Sequence, residues 1–176
     1  MLDLRGNGGG YLTILTSIVS HFISSNATTT PIIMYTKNKN GEVGDRFYSL
    51  SSKKSQYNFS QIVVLADKDT ASASEALIGA MLDYDSDNLV KVVLQQNKSI
   101  YASFGKGIMQ DTIVNNLSGE AIKLTVAEIF WPVSNISIHG KGISKAISLY
   151  NSKIFESKDS LGEIDGLNYA VNFLNN

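Results

Sequence analysis

The chain contains no cysteine, and only two of its 176 residues are histidine, His21 and His139. The missing cysteine excludes disulfides, thiolate metal sites and a cysteine nucleophile, and fits a secreted or a cytosolic address. The scarcity of histidine leaves a Ser-His-Asp triad little to recruit. His21 falls inside a helical pattern, His139 sits in the loop-like Ile138-His139-Gly140-Lys141-Gly142, and spacing suggests a partner for neither. Charge is sparse as well: charged residues make up 18% and the formal net charge is -1, so no basic patch speaks for nucleic acid. No apolar run is long enough to cross a bilayer, and no repeat, heptad or low-complexity tract occurs. What is present is 43% hydrophobic residues in a length suited to one globular domain with a sizeable core.

The most informative stretch runs from Thr70 to Tyr84, TASASEALIGAMLDY. It follows Ile62-Val63-Val64-Leu65-Ala66, which reads as a buried strand, and the polar corner Asp67-Lys68-Asp69; helical spacing then begins. A serine therefore stands where a strand turns into a helix. At about 3.6 residues per turn, Glu75, Ala76, Gly79, Ala80 and Asp83 share the face of Ser72, while Ala73, Leu77, Met81 and Leu82 fall elsewhere. The first face is small and polar and admits a backbone or a substrate. The first-turn amides of a helix are unpaired donors, available to a developing oxyanion beside Ser72. On this stretch alone, an N-cap serine on an ordinary buried helix is the simpler reading, because caps are common and nucleophiles rare.

The beginning of the chain has the same order of elements. Leu2-Asp3-Leu4-Arg5 reads as strand, Gly6-Asn7-Gly8-Gly9-Gly10 as a loop, and Leu15, Ile18, Val19, Phe22 and Ile23 have helical spacing. A phosphate loop is the rival reading, but Tyr11 stands where the dinucleotide pattern needs glycine, and no Gly-Lys-Ser/Thr follows. What remains is a loop of exposed amides able to hold an oxyanion or a peptide backbone. Because the chain opens directly into strand, it is expected to be part of a longer protein.

Further on, residues 30–52 read as two strands around the turn Lys37 to Gly41, and residues 53–60 as polar loop. Leu89 to Leu94 is a strand, and Ile108 to Phe130 a hairpin turning at Asn115 to Gly119. Ile164, Leu167, Ala170, Val171 and Leu174 mark an amphipathic helix. Between the strand and the hairpin lies Phe104-Gly105-Lys106-Gly107. A lysine flanked by glycines is uncrowded and can reach into a site, though alone it reads as a solvated turn.

Four blocks, LDLRGNGGG, TASASEALIGAMLDY, FGKGIMQ and HGKGI, stand in this order between positions 2 and 143. Together they resemble the carboxy-terminal processing proteases, or tail-specific proteases, serine peptidases that use a serine and a lysine. The resemblance implies that Ser72 is the nucleophile, Lys106 the general base and Gln110 the residue that orients it. It places the oxyanion hole at the backbone amides of Ala73 and Gly9, and gives Glu75 and Asp83 supporting roles. It implies an α/β fold with a curved mixed β-sheet and flanking helices, similar to the Clp protease and crotonase core. No metal and no organic cofactor is implied. The expected substrates are proteins cleaved near apolar carboxyl termini, and the expected setting is a bacterial envelope or beyond. In this reading, residues 1–176 are the later part of a catalytic core that in the family follows a peptide-binding PDZ domain and the start of the core.

The chemistry agrees with these roles. A lysine acts as base only when neutral, so its free pKa near 10.4 must fall through burial, for which Phe104, Ile108 and Met109 are the candidate lining. The chain departs from the family's pattern in three places. The separation of Ser72 from Lys106 is longer, the Glu-Pro before the lysine segment is missing, and Ser144-Lys145 stands where the family has Pro-Asp. Two other functions remain open at this point: an inactive, peptide-binding relative of the same fold, and a crotonase-like acyl-CoA enzyme.

Overall fold

The structure, a computed structural model, describes residues 1–23, 30–50, 59–95, 101–157 and 163–175. Most of the polar loop expected at 53–60 and of the connection after Gln95 lies outside these residues. Among the described residues the strands form two four-stranded sheets. One is parallel throughout, in the order β1 (Leu2–Asp3), β4 (Ile62–Ala66), β5 (Val90–Leu94) and β8 (Ile154–Glu156). The other is antiparallel, in the order β3 (Val43–Tyr48), β2 (Ile32–Lys37), β7 (Ala121–Phe130) and β6 (Ile108–Val114). The expected mixture of pairing types is thus divided between two sheets. The connections explain the division, because β4 and β5 are joined across a helix, as parallel strands require, whereas β2–β3 and β6–β7 are joined by short turns.

Alternation along the parallel strands decides what covers each face. Val63, Leu65 and Val93 point to one side, where Ala170 of helix α3 (Glu163–Leu174) is buried with them and Phe155, Leu167, Tyr169 and Phe173 pack around. Ile62, Val64, Ala66, Val92 and Leu94 point to the other side and join the main core with α1 (Leu12–Val19) and α2 (Ala73–Asp83). A strand covered on both faces reads as an unbroken apolar run, which is why Ile62 to Ala66 was legible.

Helix α2 is buried from Ala73 to Leu82, and its small face is occupied by protein rather than open to substrate. Trp131, 1% exposed, lies so close that a Cβ on Gly79 would stand 2.2 Å from the indole. At the far end Asp83 Oδ2 accepts the N–H groups of Val133 at 2.7 Å and Ser134 at 3.0 Å, and Oδ1 accepts the Tyr150 hydroxyl. Asp83 therefore anchors the segment after β7, far along the helix from Ser72. Burial, reinforced by the neighbouring Asp83 carboxylate, raises the Tyr150 phenol well above its ordinary range.

Candidate active site

Three neighbouring parallel strands release the chain at the same edge of the sheet. β1 runs into the glycine loop, β4 into Asp67 to Ser72, and β5 into the connection that returns as Tyr101 to Gly107. Carboxyl ends of parallel strands are where open α/β sheets form their crevices. Here that edge gathers three sequence blocks that lie far apart in the chain.

The blocks are tied by hydrogen bonds. Thr70 Oγ1 donates to the Leu4 carbonyl at 2.8 Å, Gly6 N–H to Asp67 Oδ1 at 3.0 Å, and Ala71 N–H to the Asn7 carbonyl at 3.0 Å. Asn7 Oδ1 accepts the Ser74 hydroxyl and the Gly9 N–H, both at 3.0 Å. Phe104 N–H donates to the Thr70 carbonyl at 2.9 Å, bringing in the lysine segment.

Glu75 joins the serine to the lysine segment. It is fully buried, and Oε2 accepts the N–H of Ser72 at 2.9 Å and the N–H of Lys106 at 2.9 Å. Its Oε1 accepts the Gly105 N–H at 2.8 Å and the Ser103 hydroxyl. A single carboxylate in the first turn of α2 thereby fixes the backbone of both residues. Ser72 itself has φ of 58° and ψ of -118°, a conformation that side-chain-bearing residues rarely adopt. Gly9, with φ of 95°, lies directly against this bend: a Cβ there would meet the Ala71 carbonyl oxygen at 2.7 Å and the Ala73 nitrogen at 2.8 Å.

The glycines around Lys106 have a different purpose from the expected freedom of the lysine. They let two backbones approach. A Cβ on Gly105 would stand 2.8 Å from the Gly142 nitrogen, and one on Gly107 2.8 Å from the His139 nitrogen. Gly140 N–H donates to the Gly105 carbonyl at 2.9 Å, and Ser103 exchanges bonds with Ile143. The HGKGI block is thus the brace of the lysine segment, and His139 is exposed at its rim.

An open cleft of about 480 Å³ lies between the glycine loop and the β6–β7 hairpin. Ser72, Lys106, Gln110 and Gly9 all line it, together with Gly8, Gly10 and Tyr11. Leu12, Ile108, Met109 and Ile129 supply its apolar wall. Phe104, expected in the lining of Lys106, is 65% exposed and stands outside the cleft. Among the described residues no hydrogen bond joins Lys106 Nζ to the Ser72 hydroxyl or to the Gln110 amide. Ala73, the first residue of α2, holds its N–H free of any described acceptor, whereas the Gly9 N–H is engaged by Asn7. No group of three or more histidine, cysteine or acidic residues suited to a metal occurs among the described residues.

Sequence reading missed Asn7, Ser103, Thr112 and Lys123. Asn7 and Ser103 act through contacts with distant segments, which carry no local signal. Thr112 and Lys123 line the cleft because they face each other across the hairpin, which the alternation pattern could have revealed once the register was known.

Comparison with known proteins finds relatives of the chain and of its fold. The chain is 32% identical over 157 residues to the carboxy-terminal processing protease CtpB of Bacillus subtilis, covering 89% of this chain and 29% of that protein. It is 34% identical over 146 residues to a probable CtpA-like serine protease of Staphylococcus saprophyticus, covering 82% and 26% respectively. The chain therefore spans under a third of the length of these relatives. Among solved structures it resembles a photosystem II D1 C-terminal processing protease, with a TM-score of 0.59, 26% identity, and coverage of 81% of this chain and 32% of that one. A putative S41 protease from Bacteroides fragilis has the same fold at a TM-score of 0.64, with 16% identity over 99% of this chain and 44% of that one. The pattern that defines Peptidase family S41 matches residues 1–149, and the chain belongs to that family.

Proposed function

We propose that this chain carries the catalytic centre of a serine endopeptidase that cleaves protein substrates near their carboxyl termini through Ser72 and Lys106. The observation that carries the reading is the placement of Ser72: a strained residue at the amino end of a buried helix, in one cleft with Lys106 and beside the free N–H of Ala73. Strain of this kind persists only where the surroundings over-determine it, and it gathers at functional sites.

In this mechanism neutral Lys106 Nζ takes the proton of the Ser72 hydroxyl as Oγ attacks the scissile carbonyl. The proton passes to the leaving amine, and water, activated by the same lysine, hydrolyses the acyl-enzyme. Gln110 holds the amine toward the serine. The Ala73 N–H is one oxyanion donor. Gly9 supplies the second by exchanging Asn7 Oδ1 for the oxyanion, a stronger acceptor because it is charged. Closing the distance between Ser72 and Lys106 belongs to the substrate complex, where catalytic hydrogen bonds tighten. Glu75 and Asp83 act as supports through the contacts given above.

The apolar wall of Leu12, Ile108, Met109 and Ile129 suits substrates with apolar residues at the cut. The name of the Bacillus subtilis relative supports carboxy-terminal processing, both relatives are bacterial, and the setting proposed for this protein is the cell envelope. In the whole protein, the start of the core and a PDZ domain would lie in the part these relatives have beyond the match.

The test is labelling of the full-length protein with a serine-directed phosphonate, with the adduct located by mass spectrometry. The adduct is expected on Ser72 and absent from Ser72→Ala. Labelling is expected to accelerate with pH, and Lys106→Ala to remove that dependence while keeping its circular dichroism. Binding of tail peptides without any labelling would replace the peptidase by a peptide-binding module.

A further inference from the structure

We infer that Lys123 is a substrate-binding residue that recognises a carboxylate on the peptide, a few residues from the bond that is cut; the inference builds on the peptidase reading of the cleft. Side chains two apart on a strand share a face, and Ile108, Gln110 and Thr112 of β6 line the cleft, joined by Met109 at the register shift between Met109 and Gln110. Thr112 pairs with Lys123 of β7, which lines the cleft from the neighbouring strand. Ile108 to Thr112 covers about 13 Å of strand, the length of about four residues of extended peptide. A substrate lying along β6 from the Ser72 end would therefore reach Lys123 roughly four residues from the scissile bond.

The charges of the cleft are one-sided. Its lining holds two lysines, Lys106 and Lys123, and no carboxylate. Asp111 is paired with Leu124, one step out of phase with Thr112 and Lys123, and its Oδ1 accepts the Thr112 N–H. Glu120 accepts the Ser118 hydroxyl and Glu128 that of Ser137. No ion pair among the described residues includes Lys123. A peptide carboxylate would be its first partner.

The plain alternative is a solvated lysine that keeps a strand edge from pairing with other chains. The distribution of side chains on the hairpin argues against it. The face opposite the cleft exposes Ile113 (56%), Ile122 (56%) and Leu124 (40%) with Asp111 as its one charged group, so the hairpin's lysine stands not beside these apolar side chains but on the face where a substrate lies.

The carboxylate could be the free carboxyl terminus of the substrate or an acidic side chain, and peptide pairs separate the two. Quenched fluorescent peptides with glutamate or glutamine four residues from the cut read the side-chain source. Peptides ending at that position as free acid or as amide read the terminal source. Full-length wild type is expected to prefer the anionic member of one pair by about three- to fivefold in KM, with kcat unchanged, as suits a solvent-exposed ion pair. Lys123→Gln should abolish the preference and Lys123→Glu reverse it, with raised salt weakening it in wild type. The same peptides are titrated into Ser72→Ala protein by fluorescence anisotropy, which reads the contact without turnover. Cleavage with equal preference in wild type and Lys123→Gln overturns the role of Lys123 and leaves the peptidase standing. Absent cleavage with a Lys123-dependent binding preference does the reverse. Absence of any charge-dependent binding overturns the inference, whether or not cleavage occurs.

Discussion

Glu75 offers the sharpest test of how the site is built, because its acceptor atoms and its volume can be removed separately. In Glu75→Gln one oxygen survives and the other becomes an amide donor. Turned toward Oε2, that donor would face the N–H groups of both Ser72 and Lys106. Turned toward Oε1, it faces the Gly105 N–H and the Ser103 hydroxyl, and the hydroxyl can rotate to accept. The second orientation costs less and keeps an acceptor for Ser72 and Lys106. It leaves one buried N–H unsatisfied, at about 1–3 kcal/mol, and makes two charge-assisted bonds neutral, partly offset by relief of the buried charge. The expected loss is about 2 kcal/mol. In Glu75→Leu three backbone N–H groups lose their acceptor at similar volume, for an upper bound of about 3–9 kcal/mol against a typical domain stability of 5–15. Urea unfolding followed by circular dichroism reads the stability, and phosphonate labelling at low temperature, where both variants stay folded, reads the site. Glu75→Gln is expected to label Ser72 within tenfold of the wild-type rate, and Glu75→Leu at least a hundredfold more slowly. Equal stability and equal labelling in Glu75→Leu and wild type would show that the carboxylate positions neither residue.

Three further substitutions probe other links. Gly9→Ala places a Cβ 2.7–2.8 Å from the backbone on either side of Ser72, at a φ that alanine resists; labelling should fall at least a hundredfold with far-UV circular dichroism retained, and a wild-type rate would refute the close contact. Gly79→Ala drives a methyl into Trp131 from inside a buried helix and should cost at least about 2 kcal/mol in urea despite alanine's better helix propensity; an unchanged midpoint would show that the indole moves freely. Tyr84 and Tyr150 both ionise above the ordinary value of 10.0, mainly because of burial and then because of Asp83. The unfolded chain loses these protons near pH 10 while the folded chain keeps them, so this contribution is constant below pH 10 and stability falls as pH rises beyond it. Tyr150→Phe should lower the midpoint at neutral pH through the lost bond to Asp83 and flatten the alkaline decline, which an unchanged slope above pH 10 would refute.

How far the sequence was legible depended on whether a feature was local. The strand at Ile62 to Ala66 showed as an apolar run because both its faces are covered, and α3 through the spacing of Leu167, Ala170, Val171 and Leu174. The hairpin at 108–130 followed from its turn. Nothing local told that β1, β4 and β5 lie side by side, since strand order depends on how helices cover a sheet. The role of Glu75 was hidden for the same reason: its place near Ser72 on the helix was readable, but its partners Ser103, Gly105 and Lys106 lie 28, 30 and 31 residues away. The glycines beside Lys106 suggest freedom for the lysine, whereas a close backbone neighbour demands them, and glycine looks the same in either case.

The strain at Ser72 shows why the sheet, rather than the serine block alone, sets the site. A residue held in a rarely populated conformation costs about 1–3 kcal/mol and would relax if its neighbours could move. Here both sides are pinned. Ala71 N–H is held by the Asn7 carbonyl, Ser74 by the Asn7 side chain, and the Ser72 N–H by Glu75, while the Ser72 carbonyl accepts the Ala76 N–H as the helix begins. Two of these four bonds reach back to Asn7, whose position follows from the pairing of Leu2 with Val64 and Asp3 with Leu65. A slip of β1 by one residue would carry Asn7 about 3.3 Å along the sheet, beyond reach of Ala71 and Ser74. It would also turn Leu2 and Leu4 from the core toward the opposite face. The apolar alternation that buries β1 against the core is therefore the same feature that fixes its register, and through Asn7 that register holds Ser72 in the bend from which it faces the cleft.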